Sequence, residues 1–386
     1  MHLHLQNADE IASSLSLAIR DWQPKDVSAP DPTARCTIVE GGPDGYAVRS
    51  CYLDETLEGL GSAAATCAVI ADLAQDFFET RSGCLALHCA AFRFHNRLIA
   101  MTGPSRAGKS TLAARLTMET DMQVFCDDVL PLLDNGKAVG LGIAPRLRLP
   151  IPAASSAAFK AHFGRHIGPH DDRYGYLCAP NVAPHGTAVP LSVLLILDRR
   201  PIGPALLHEV AEDEALHFLL AQNMSDLETA EAAFARLSDL LTGIKCLRLV
   251  YSHLEDAVAL IRHAFGTTTD VAADVSVAKA LMNPMSAALP RADLSSDLQW
   301  SRKPDVVIQR KGDSAFLWHP GNQMIWQTNT LGLAVWTLLE IPGSAREIGT
   351  LLSEQFPDQD TDTLISDVNA LMQALVQNGL IEPARI

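Results

Sequence analysis

The residues with the clearest capacity for chemistry form a glycine-rich loop between an apolar run and a helical pattern. Residues 103–110 fit the pattern G-x-x-x-x-G-K-[ST] at every required position. The apolar run at 98–101 predicts a buried strand before the loop, and the apolar spacing over 112–116 predicts a helix after it. In this strand–loop–helix context, backbone N–H groups and a helix N-terminus surround phosphate groups.

Each residue type in this loop has a role toward a nucleoside triphosphate. Gly103 and Gly108 allow the backbone to turn its N–H groups inward. The ammonium of Lys109 would reach the β- and γ-phosphates, and the hydroxyl of Ser110 would ligate Mg²⁺. We therefore expect ATP and Mg²⁺ as cofactors. The predicted nucleotide-binding set is Gly103, Ser105, Ala107, Gly108, Lys109, Ser110 and Thr111.

Two adjacent carboxylates follow the next predicted strand. The apolar run 124–126 ends in Asp127 and Asp128. Ligands of open α/β sheets collect at the carboxyl ends of the strands, so the loop and the two carboxylates should face one crevice. Phosphoryl transfer needs a carboxylate for Mg²⁺ and a base near the acceptor hydroxyl. An ordinary acidic turn is the alternative interpretation of the pair.

The overall composition argues against several classes of partner. The net charge is −15 and the sequence has no basic block, which disfavours nucleic acid and anionic membrane surfaces. No apolar run reaches the length of a membrane span, and the N-terminus lacks the pattern of a signal peptide. The eight cysteines are scattered, which is typical of reduced thiols in the cytosol. We expect a cytoplasmic protein.

Two further groups of polar residues remain open to more than one interpretation. Arg146 and Arg148 alternate on an extended segment, so they point to one side and would meet a phosphate or a peptide acid, unless they are solvated. His162, His166 and His170 have the spacing of a helical metal site, but glycines and a proline between them disfavour a regular helix. We expect a polar, glycine-rich lid in this stretch instead.

Changes in composition predict the domain organisation. Residues 267–297 are rich in Ala, Ser, Thr, Pro and Asp and are the predicted linker. Before it we expect an α+β segment over 1–80, packed on a domain over 81–266. The predicted elements of that domain include one strand over 84–94 and helices at about 211–222 and 226–242. After the linker, residues 298–386 contain three short strands, the last at 323–329, and three helices, the last at about 363–377.

Residues 80–265 resemble the HPr kinase family, most specifically over 85–130. The resemblance rests on Leu87-His88 ahead of the phosphate-loop strand, on the loop itself, and on Cys126-Asp127-Asp128 after the following helix. It implies an α/β fold of the type shared with phosphoenolpyruvate carboxykinase, a mixed-sheet P-loop core flanked by helices. It also implies an ATP-dependent phosphotransferase activity, and a homo-oligomer is a possible state because hexamers occur in that family.

The same resemblance implies a role for each matching residue. Asp127 would take the proton of a substrate hydroxyl, Asp128 would be a metal partner with Ser110, and Lys109 would stabilise the phosphates. His88 would be a charge-stabilising neighbour, with a buried structural role as the alternative. Cys89 stands where the family usually has glycine, and the long substrate loop of true HPr kinases is absent, so HPr itself is not the expected substrate.

Residues 298–386 resemble a PqqD-like domain, a small α+β winged-helix-like module that binds the leader segment of ribosomally made precursor peptides. The order of three strands and three helices carries this resemblance, together with Thr328-Asn329-Thr330-Leu331-Gly332 and Asn378-Gly379-Leu380-Ile381. A DNA-binding winged helix is the rival, but the third helix carries no Lys or Arg. We expect a leader to add to strand 323–329. The predicted peptide-binding residues are Ile325, Trp326, Gln327, Ile365 and Met372.

Together these features predict a kinase that phosphorylates a Ser or Thr hydroxyl of a precursor peptide during the biosynthesis of a modified peptide, such as a lasso peptide. Two other functions remain open. One is a non-catalytic, ATP-gated peptide chaperone, and the other is an ATP-dependent enzyme that activates a carboxylate. The formation of a phosphopeptide distinguishes the kinase from both.

Overall fold

The computed structural model describes residues 1–27, 34–225, 229–266, 295–320, 324–356 and 358–384. The chain divides into two compact units. The first consists of Met1–Val210, Ala221–Asp226 and Leu240–Lys279, and the second of Ala211–Leu220, Leu227–Asp239 and Ala280–Ile386. The predicted linker at 267–297 lies outside the described residues apart from its last three positions.

The described residues form helices and strands of varied length. Up to residue 140 they are β1 (His2–Gln6), α1 (Asp9–Ala18), β2 (Cys36–Gly42), β3 (Gly45–Ser50), β4 (Leu57–Leu60), α2 (Ser62–Glu79), β5 (Leu85–Leu87), β6 (Ala90–Phe94), β7 (Arg97–Thr102), α3 (Lys109–Leu116), β8 (Met122–Cys126), β9 (Leu130–Leu132) and β10 (Lys137–Gly140). Up to residue 265 they are β11 (Arg146–Arg148), α4 (Ala157–His166), β12 (Ile167–His170), β13 (Tyr174–Leu177), β14 (Thr187–Arg199), β15 (Leu206–Glu209), α5 (Glu212–Gln222), α6 (Ala230–Thr242), β16 (Lys245–Tyr251) and α7 (Leu254–Phe265). The remaining elements are β17 (Trp300–Arg302), β18 (Val307–Lys311), β19 (Ser314–Trp318), β20 (Trp326–Thr328), α8 (Thr330–Leu338), α9 (Ala345–Gln355), α10 (Thr361–Gln377) and β21 (Ile381–Pro383).

The largest sheet lies in the first unit and combines both strand orientations. In the part of the chain that the structure describes, nine strands take the order β5-β9-β10-β14-β7-β6-β8, with β16 beside β14 and β15 beside β16. Strands β7, β14 and β16 are parallel. Strand β6 is antiparallel to both β7 and β8, so β8 runs in the same direction as β7. The carboxyl ends of β7, β8, β14 and β16 therefore lie at one edge of the sheet.

Apolar burial explains why this sheet forms the centre of the first unit. The run Val193–Leu197 of β14 is buried between β7 and β16. Leu112 of α3 and Ile261 of α7 belong to the same buried cluster, so helices cover the sheet. The predicted mixed-sheet α/β fold is confirmed. Within the described ranges, no helix is both long enough and apolar enough to cross a bilayer.

The N-terminal segment has a sheet of its own. Strands β1 to β4 pair in sequence order, β1 with β2 in parallel and the others antiparallel. Ile11 of α1 and Val69 of α2 are buried in one apolar cluster with Val39 and Val48 of this sheet. Tyr176 of β13 belongs to that cluster too, so the segment packs on the rest of the first unit.

The strand predicted over 84–94 is two strands that pair with different neighbours. β5 pairs with β9, whereas β6 pairs with β7 and β8. The break falls at His88, whose N–H donates to the carbonyl oxygen of Gln222 at 2.8 Å, while the N–H of Cys89 donates to Leu87 at 2.9 Å. These bonds satisfy the backbone away from the ladder, so the prediction of one continuous strand is wrong.

The lid expected between residues 159 and 177 is regular structure instead. Ser156 caps the N-terminus of helix α4 through its hydroxyl, which accepts a hydrogen bond from the N–H of Phe159, and β12 and β13 follow the helix. Phe159 and Phe163 are buried and fix one face of the helix. Gly164 lies on the exposed side, so it costs only its intrinsic helix propensity of about 1 kcal/mol. The burial of the two phenylalanines thus stabilises the helix more than the glycine destabilises it.

The second unit contains the three predicted C-terminal strands and three predicted helices. Strands β18, β19 and β20 form an antiparallel sheet. Ala315 and Leu317 of β19 pack into the core with α8, α9 and α10. Phe316 and Trp318 face the other side, where Phe234 of α6 lies 5.3 Å from each ring. The small α+β domain predicted at the C-terminus is confirmed.

Parts of α5 and α6 belong to this second unit, whereas the sequence pattern predicts both helices within the domain over 81–266. The hydroxyl of Ser314 donates to a carboxylate oxygen of buried Asp213 at 2.8 Å, and Lys311 forms an ion pair with Glu212 at 3.0 Å. These polar contacts hold the start of α5 at the turn between β18 and β19.

Candidate active site

The phosphate loop runs from the end of β7 to the start of α3. Gly103 and Gly108 have φ angles of 146° and 96°, in the region that favours glycine. A Cβ atom on Gly103 would lie 2.7 Å from the carbonyl oxygen of Leu197. A Cβ atom on Gly108 would overlap the hydroxyl of Tyr251. Both glycines are therefore required by the backbone conformation and by the lack of space around them.

A residue outside the sequence pattern anchors this loop. Tyr251, the last residue of β16, is buried, and its hydroxyl donates a hydrogen bond of 2.7 Å to the carbonyl oxygen of Ala107. Burial raises the pKa of this phenol to about 12, so it keeps its proton at neutral pH. The bond fixes the turn immediately before α3. No local pattern in the sequence marks Tyr251, because 144 positions separate the two residues.

The phosphate loop and the carboxylate pair line one cavity of about 660 Å³. It lies where β7, β8 and β14 end, as their shared direction requires. Arg199 and Gln222, which the sequence analysis did not single out, also line it. All residues predicted for the nucleotide, the base and the metal line this cavity: His88, Gly103, Ser105, Ala107, Gly108, Lys109, Ser110, Thr111, Asp127 and Asp128.

Lys109 is held within the loop that it follows. Its ammonium donates to the carbonyl oxygen of Gly103 at 3.2 Å. Burial lowers the pKa of Lys109, and the negative charge of Asp128 acts in the opposite direction. The side chain is therefore a partly desolvated cation directed along the loop, which is the type of group that stabilises phosphate oxygens.

Asp127 is a buried carboxyl group with a fixed orientation. It is 6% exposed, and one carboxylate oxygen accepts a hydrogen bond of 3.0 Å from the N–H of Arg146. Burial raises the pKa of Asp127 to about 7, helped by the charge of Asp128 and opposed by the N–H and charge of Arg146. A carboxyl group with this pKa can take up a proton near neutral pH.

Asp128 has the opposite environment although it is the next residue. Its side chain is 75% exposed, and a carboxylate oxygen lies 3.3 Å from Nε2 of His88. The hydrogen bond from His88 lowers the pKa of Asp128, and the charges of Arg146 and Lys109 add to this effect. Asp128 is therefore an anion at neutral pH. His88 lies at the break between β5 and β6, and from there its ring orients the carboxylate of Asp128 in the cavity.

The donors in the cavity suit Mg²⁺. Ser110 offers a hydroxyl and Asp128 an ionised carboxylate, both hard oxygen ligands, and both line the cavity beside the loop. Among the described residues, no group of three or more His, Cys, Asp or Glu side chains could hold a metal ion. Mg²⁺ usually binds through one or two protein oxygens together with substrate phosphates, so these two donors fit it.

Arg146 and Arg148 of β11 also line the cavity. The guanidinium of Arg146 lies over the ring of Tyr174, 4.8 Å from its centroid, and donates to the sulfur of Cys67. Tyr176, on the neighbouring strand, is buried, and burial raises its pKa. These side chains form an aromatic and cationic wall on the three-stranded sheet β11-β13-β12.

The three predicted histidines do not converge. Nε2 of His162 lies 2.9 Å from the hydroxyl of Thr117, and its ring contacts that of His166 at 4.7 Å between centroids. His170 lies in β12, where Nδ1 is 2.9 Å from the carbonyl oxygen of Gly168. The helix therefore continues only as far as His166, and the regular spacing in the sequence is not kept in space.

In the second unit, β20 is an edge of its sheet within the described residues. Lys311 and Ser314 close a two-residue turn, so Phe316 directs its backbone N–H and C=O toward β18. Phe316 is also opposite Gln327. The backbone N–H and C=O of Gln327 therefore point away from β19, toward the open edge. The predicted edge strand presents hydrogen-bonding groups that an extended segment could pair with.

Residues 315–381 match the family described as "Coenzyme PQQ synthesis protein D (PqqD)". They form a PqqD domain. Among solved structures, "TbiB1 in Complex with the TbiA(beta) Leader Peptide" is 22% identical, with a TM-score of 0.20, and the match covers 22% of this chain and 99% of that chain. "Structure of the Hpr(Ser) kinase/phosphatase from Coxiella burnetii" is 13% identical, with a weak TM-score of 0.22, over 43% of this chain and 78% of that chain. No curated protein matches the sequence.

Within the PqqD domain, the two helix residues predicted to bind a peptide are used for packing. Met372 is 1% exposed and belongs to the core, so it presents no surface to a peptide and that prediction is corrected. A Cβ atom on Gly349 would lie 2.6 Å from Cγ1 of Ile365, which places Ile365 against α9. The apolar stripe of α10 is wide because α8, α9 and β21 all pack on it.

The strand residues of the PqqD domain differ among themselves. Trp326 is half-buried against the core, and its indole N–H is buried without a hydrogen-bond partner in the described part of the domain. The side-chain amide of Gln327 donates to the hydroxyl of Ser314 at 2.9 Å. Ile325 is half-buried just before β20. The predicted contacts of these three side chains with a peptide stay predictions. The structural feature that most favours a peptide here is the backbone of Gln327, which faces the open edge of the sheet.

We expect Asp127→Asn to stabilise the metal-free protein at alkaline pH. The folded pKa of about 7 exceeds the ordinary value of 3.8, so folded Asp127 keeps a proton that the unfolded chain releases, and stability falls as pH rises through this window. Each pKa unit corresponds to about 1.4 kcal/mol. The increase in the free energy of unfolding caused by Asp127→Asn should therefore be larger at about pH 8 than at about pH 5, by at least about 1 kcal/mol. Denaturant unfolding in EDTA measures it.

Asp128→Asn is the comparison variant. It removes the charge that adds to the effect of burial on Asp127, so its gain at alkaline pH should be smaller than that of Asp127→Asn. A gain for Asp127→Asn that is equal at the two pH values would contradict the raised pKa of Asp127.

We expect Tyr251→Phe to weaken ATP binding while the protein stays folded. The substitution leaves the carbonyl oxygen of Ala107 without its donor, which costs about 1–3 kcal/mol and loosens the turn before α3. The Kd of Mg·ATP should rise by roughly fivefold or more, measured by titration calorimetry. Tyr46→Phe removes a hydroxyl that bonds Glu10 in the N-terminal segment and should leave the Kd unchanged. Equal Kd values for Tyr251→Phe and the native protein would show that the anchor is unimportant.

Proposed function

We propose that this protein is an ATP-dependent kinase that phosphorylates a Ser or Thr hydroxyl of a ribosomally made precursor peptide during the biosynthesis of a modified peptide, such as a lasso peptide. One observation carries the proposal. A complete phosphate loop and two adjacent carboxyl groups with opposite pKa shifts line a single cavity. Phosphoryl transfer to a hydroxyl needs this combination of an anion-binding loop, a metal-binding carboxylate and a base.

In the proposed reaction, Asp127 accepts the proton of the peptide hydroxyl. The hydroxyl oxygen forms a bond to the γ-phosphorus of ATP, and the bond from that phosphorus to the β–γ bridging oxygen breaks, so that ADP leaves. The phosphate loop and the ammonium of Lys109 hold the phosphate oxygens, whose charge shifts during transfer. The N–H of Arg146 keeps the Asp127 carboxylate in one orientation throughout.

Ser110 and Asp128 would hold Mg²⁺, which supplies charge neutralisation for the β- and γ-phosphates when bound. His88 keeps Asp128 ionised and oriented, because its ring nitrogen lies 3.3 Å from the carboxylate. The division of labour between Asp127 and Asp128 follows from their environments. The buried, proton-binding residue suits a base, and the exposed anion suits a metal ligand.

The PqqD domain would recruit the peptide through its leader segment. Strand β20 is the sheet edge, and Gln327 directs its backbone groups outward from it. An extended leader would pair with those groups, while neighbouring side chains select its sequence. This arrangement places affinity in main-chain hydrogen bonds and leaves the acceptor residue to be chosen in the cavity of the first unit.

The direct test is mass spectrometry of a precursor peptide, encoded in a neighbouring gene, after incubation with ATP, Mg²⁺ and the full chain. A mass increase of one phosphoryl group, located on a Ser or Thr residue, supports the kinase. Unmodified peptide whose affinity depends on ATP would point to the chaperone. Release of inorganic phosphate with a new covalent bond at a peptide carboxylate would point to carboxylate activation.

We expect Lys109→Ala and Asp127→Asn to impair transfer in different ways. Lys109→Ala removes charge stabilisation and should lower kcat by on the order of 10²-fold or more. Asp127→Asn removes the base and should lower kcat by roughly 10²–10⁴-fold, with the Kd of Mg·ATP changed less than about fivefold. Transfer rates and calorimetric Kd values measure both effects. If Asp127→Asn abolished Mg·ATP binding and Asp128→Asn lowered only kcat, the two assigned roles would be reversed.

We expect Gln327→Pro to weaken leader binding, because proline removes the N–H directed to the open edge. Loss of one backbone hydrogen bond in this interface should raise the Kd of the leader by roughly tenfold. Gln327→Ala is the matched control, since it removes only the side-chain bond to Ser314 and keeps the N–H. Fluorescence anisotropy with a labelled leader measures the Kd, and ATP binding should not change. Undiminished binding to folded Gln327→Pro protein, or binding that maps to residues 1–80, would refute strand addition.

A further inference from the structure

Arg146 carries a positive charge in the cavity wall and makes no direct ion pair among its described contacts. Its side chain is half-buried, lies over Tyr174 and donates to the sulfur of Cys67. Within the described residues, no ion pair joins its guanidinium to a carboxylate. Arg115, which is also largely buried, is paired with both Glu119 and Glu255. Asp127 and Asp128 supply negative charge in the same cavity but form no ion pair with the guanidinium, so most of its N–H donors remain for an anionic ligand.

The position of Arg146 relates this charge to the proposed base. Its backbone N–H donates to the carboxylate of Asp127. The residue that orients the proposed base therefore also carries the guanidinium. Lys109 and the phosphate loop lie at the end of β7 and the start of α3, and β11 packs against α3. Asp127 and Arg146 line the same cavity, so an acceptor hydroxyl that reaches Asp127 enters a cavity whose lining includes Arg146.

The surroundings of Arg146 hold the guanidinium in a defined plane. The ring of Tyr174 lies 4.8 Å from its central carbon, which is within the range of cation–π stacking. Tyr176 is opposite Arg146 in the β11–β13 pairing and is 2% exposed. A stacked, oriented guanidinium presents its N–H groups as a fork, the geometry that binds both oxygens of a carboxylate.

We propose that Arg146 forms an anion subsite for the acceptor and binds a carboxylate carried next to the hydroxyl that is phosphorylated. This inference rests on the proposed kinase function and narrows its substrate class to a Ser or Thr residue with an adjacent acidic group. The second source of a suitable oxyanion is the terminal phosphate of the nucleotide. The hydrogen bond from the N–H of Arg146 to Asp127, the proposed base, favours the acceptor.

The test uses two short peptides and does not require turnover. Acetyl-Asp-Ser-Asp-amide and its neutral isostere acetyl-Asn-Ser-Asn-amide are titrated into the full chain saturated with Mg²⁺ and a non-hydrolysable ATP analogue. Binding is followed by NMR line broadening of the peptides. We expect the acidic peptide to bind on the order of tenfold more tightly than the neutral one, as for a charge-assisted bidentate pair. Arg146→Gln should remove this preference, and Arg146→Lys should keep only part of it.

Arg173→Gln is the matched control. Arg173 is exposed, lies 5.8 Å from the same tyrosine ring and is not part of the cavity lining, so its loss should leave the peptide preference unchanged. The backbone N–H to Asp127 persists in every side-chain variant of Arg146. A substitution that acted only by disturbing Asp127 would change kcat equally for both peptides and leave their binding ratio intact.

Equal binding of the two peptides to the native protein, or a preference that survives in Arg146→Gln, overturns the subsite. Weaker binding of the ATP analogue by Arg146→Gln, with the peptide preference kept, assigns the guanidinium to the nucleotide phosphate and also overturns it. The kinase function fails separately. If ATP yields no phosphoserine on the acidic peptide or on the precursor while the Arg146-dependent preference is present, the subsite stands and the proposed reaction does not.

Discussion

The candidate site depends on the direction of β8. This strand and β7 are not neighbours, since β6 returns between them and is antiparallel to both. Two reversals restore the original direction, so the loop after β7 and the carboxylates after β8 emerge at the same edge of the sheet. If β8 paired in the opposite sense, Asp127 would lie a full strand length from Lys109. The antiparallel hairpin of β6 and β7 is thus a requirement of the chemistry and not only of the fold.

The sequence predicted the parts of this site that are encoded by short-range patterns. Residues 103–110 and the pair Asp127–Asp128 are local motifs with a fixed strand–loop context, and the structure places them in one cavity. Tyr251 could not be found in this way, because its contact with Ala107 depends on β16 pairing with β14. The break at His88 was missed for a similar reason, since the carbonyl oxygen of Gln222 satisfies its N–H from a distant segment.

Other errors came from patterns that have two readings. The glycines between 159 and 177 suggested a lid, but Phe159 and Phe163 anchor that stretch in the core, and apolar burial outweighs a weak helix propensity. Met372 extended an apolar stripe that appeared too wide for a small domain. The width of the stripe is used because α10 packs against α8 and β21 as well as α9. The sequence pattern shows how much of a helix is apolar, but it does not show how many elements pack around that helix.

The hydrogen bond between Lys109 and the carbonyl oxygen of Gly103 has a consequence for ligand selection. An ammonium group has three N–H donors, so one bonds the carbonyl oxygen of Gly103 while the others remain for an incoming anion. The bond to Gly103 keeps the charge beside the loop N–H groups and the N-terminus of α3. A small ion reaches only part of this set, whereas a triphosphate spans all of it. The loop therefore selects ligands by the number of simultaneous contacts.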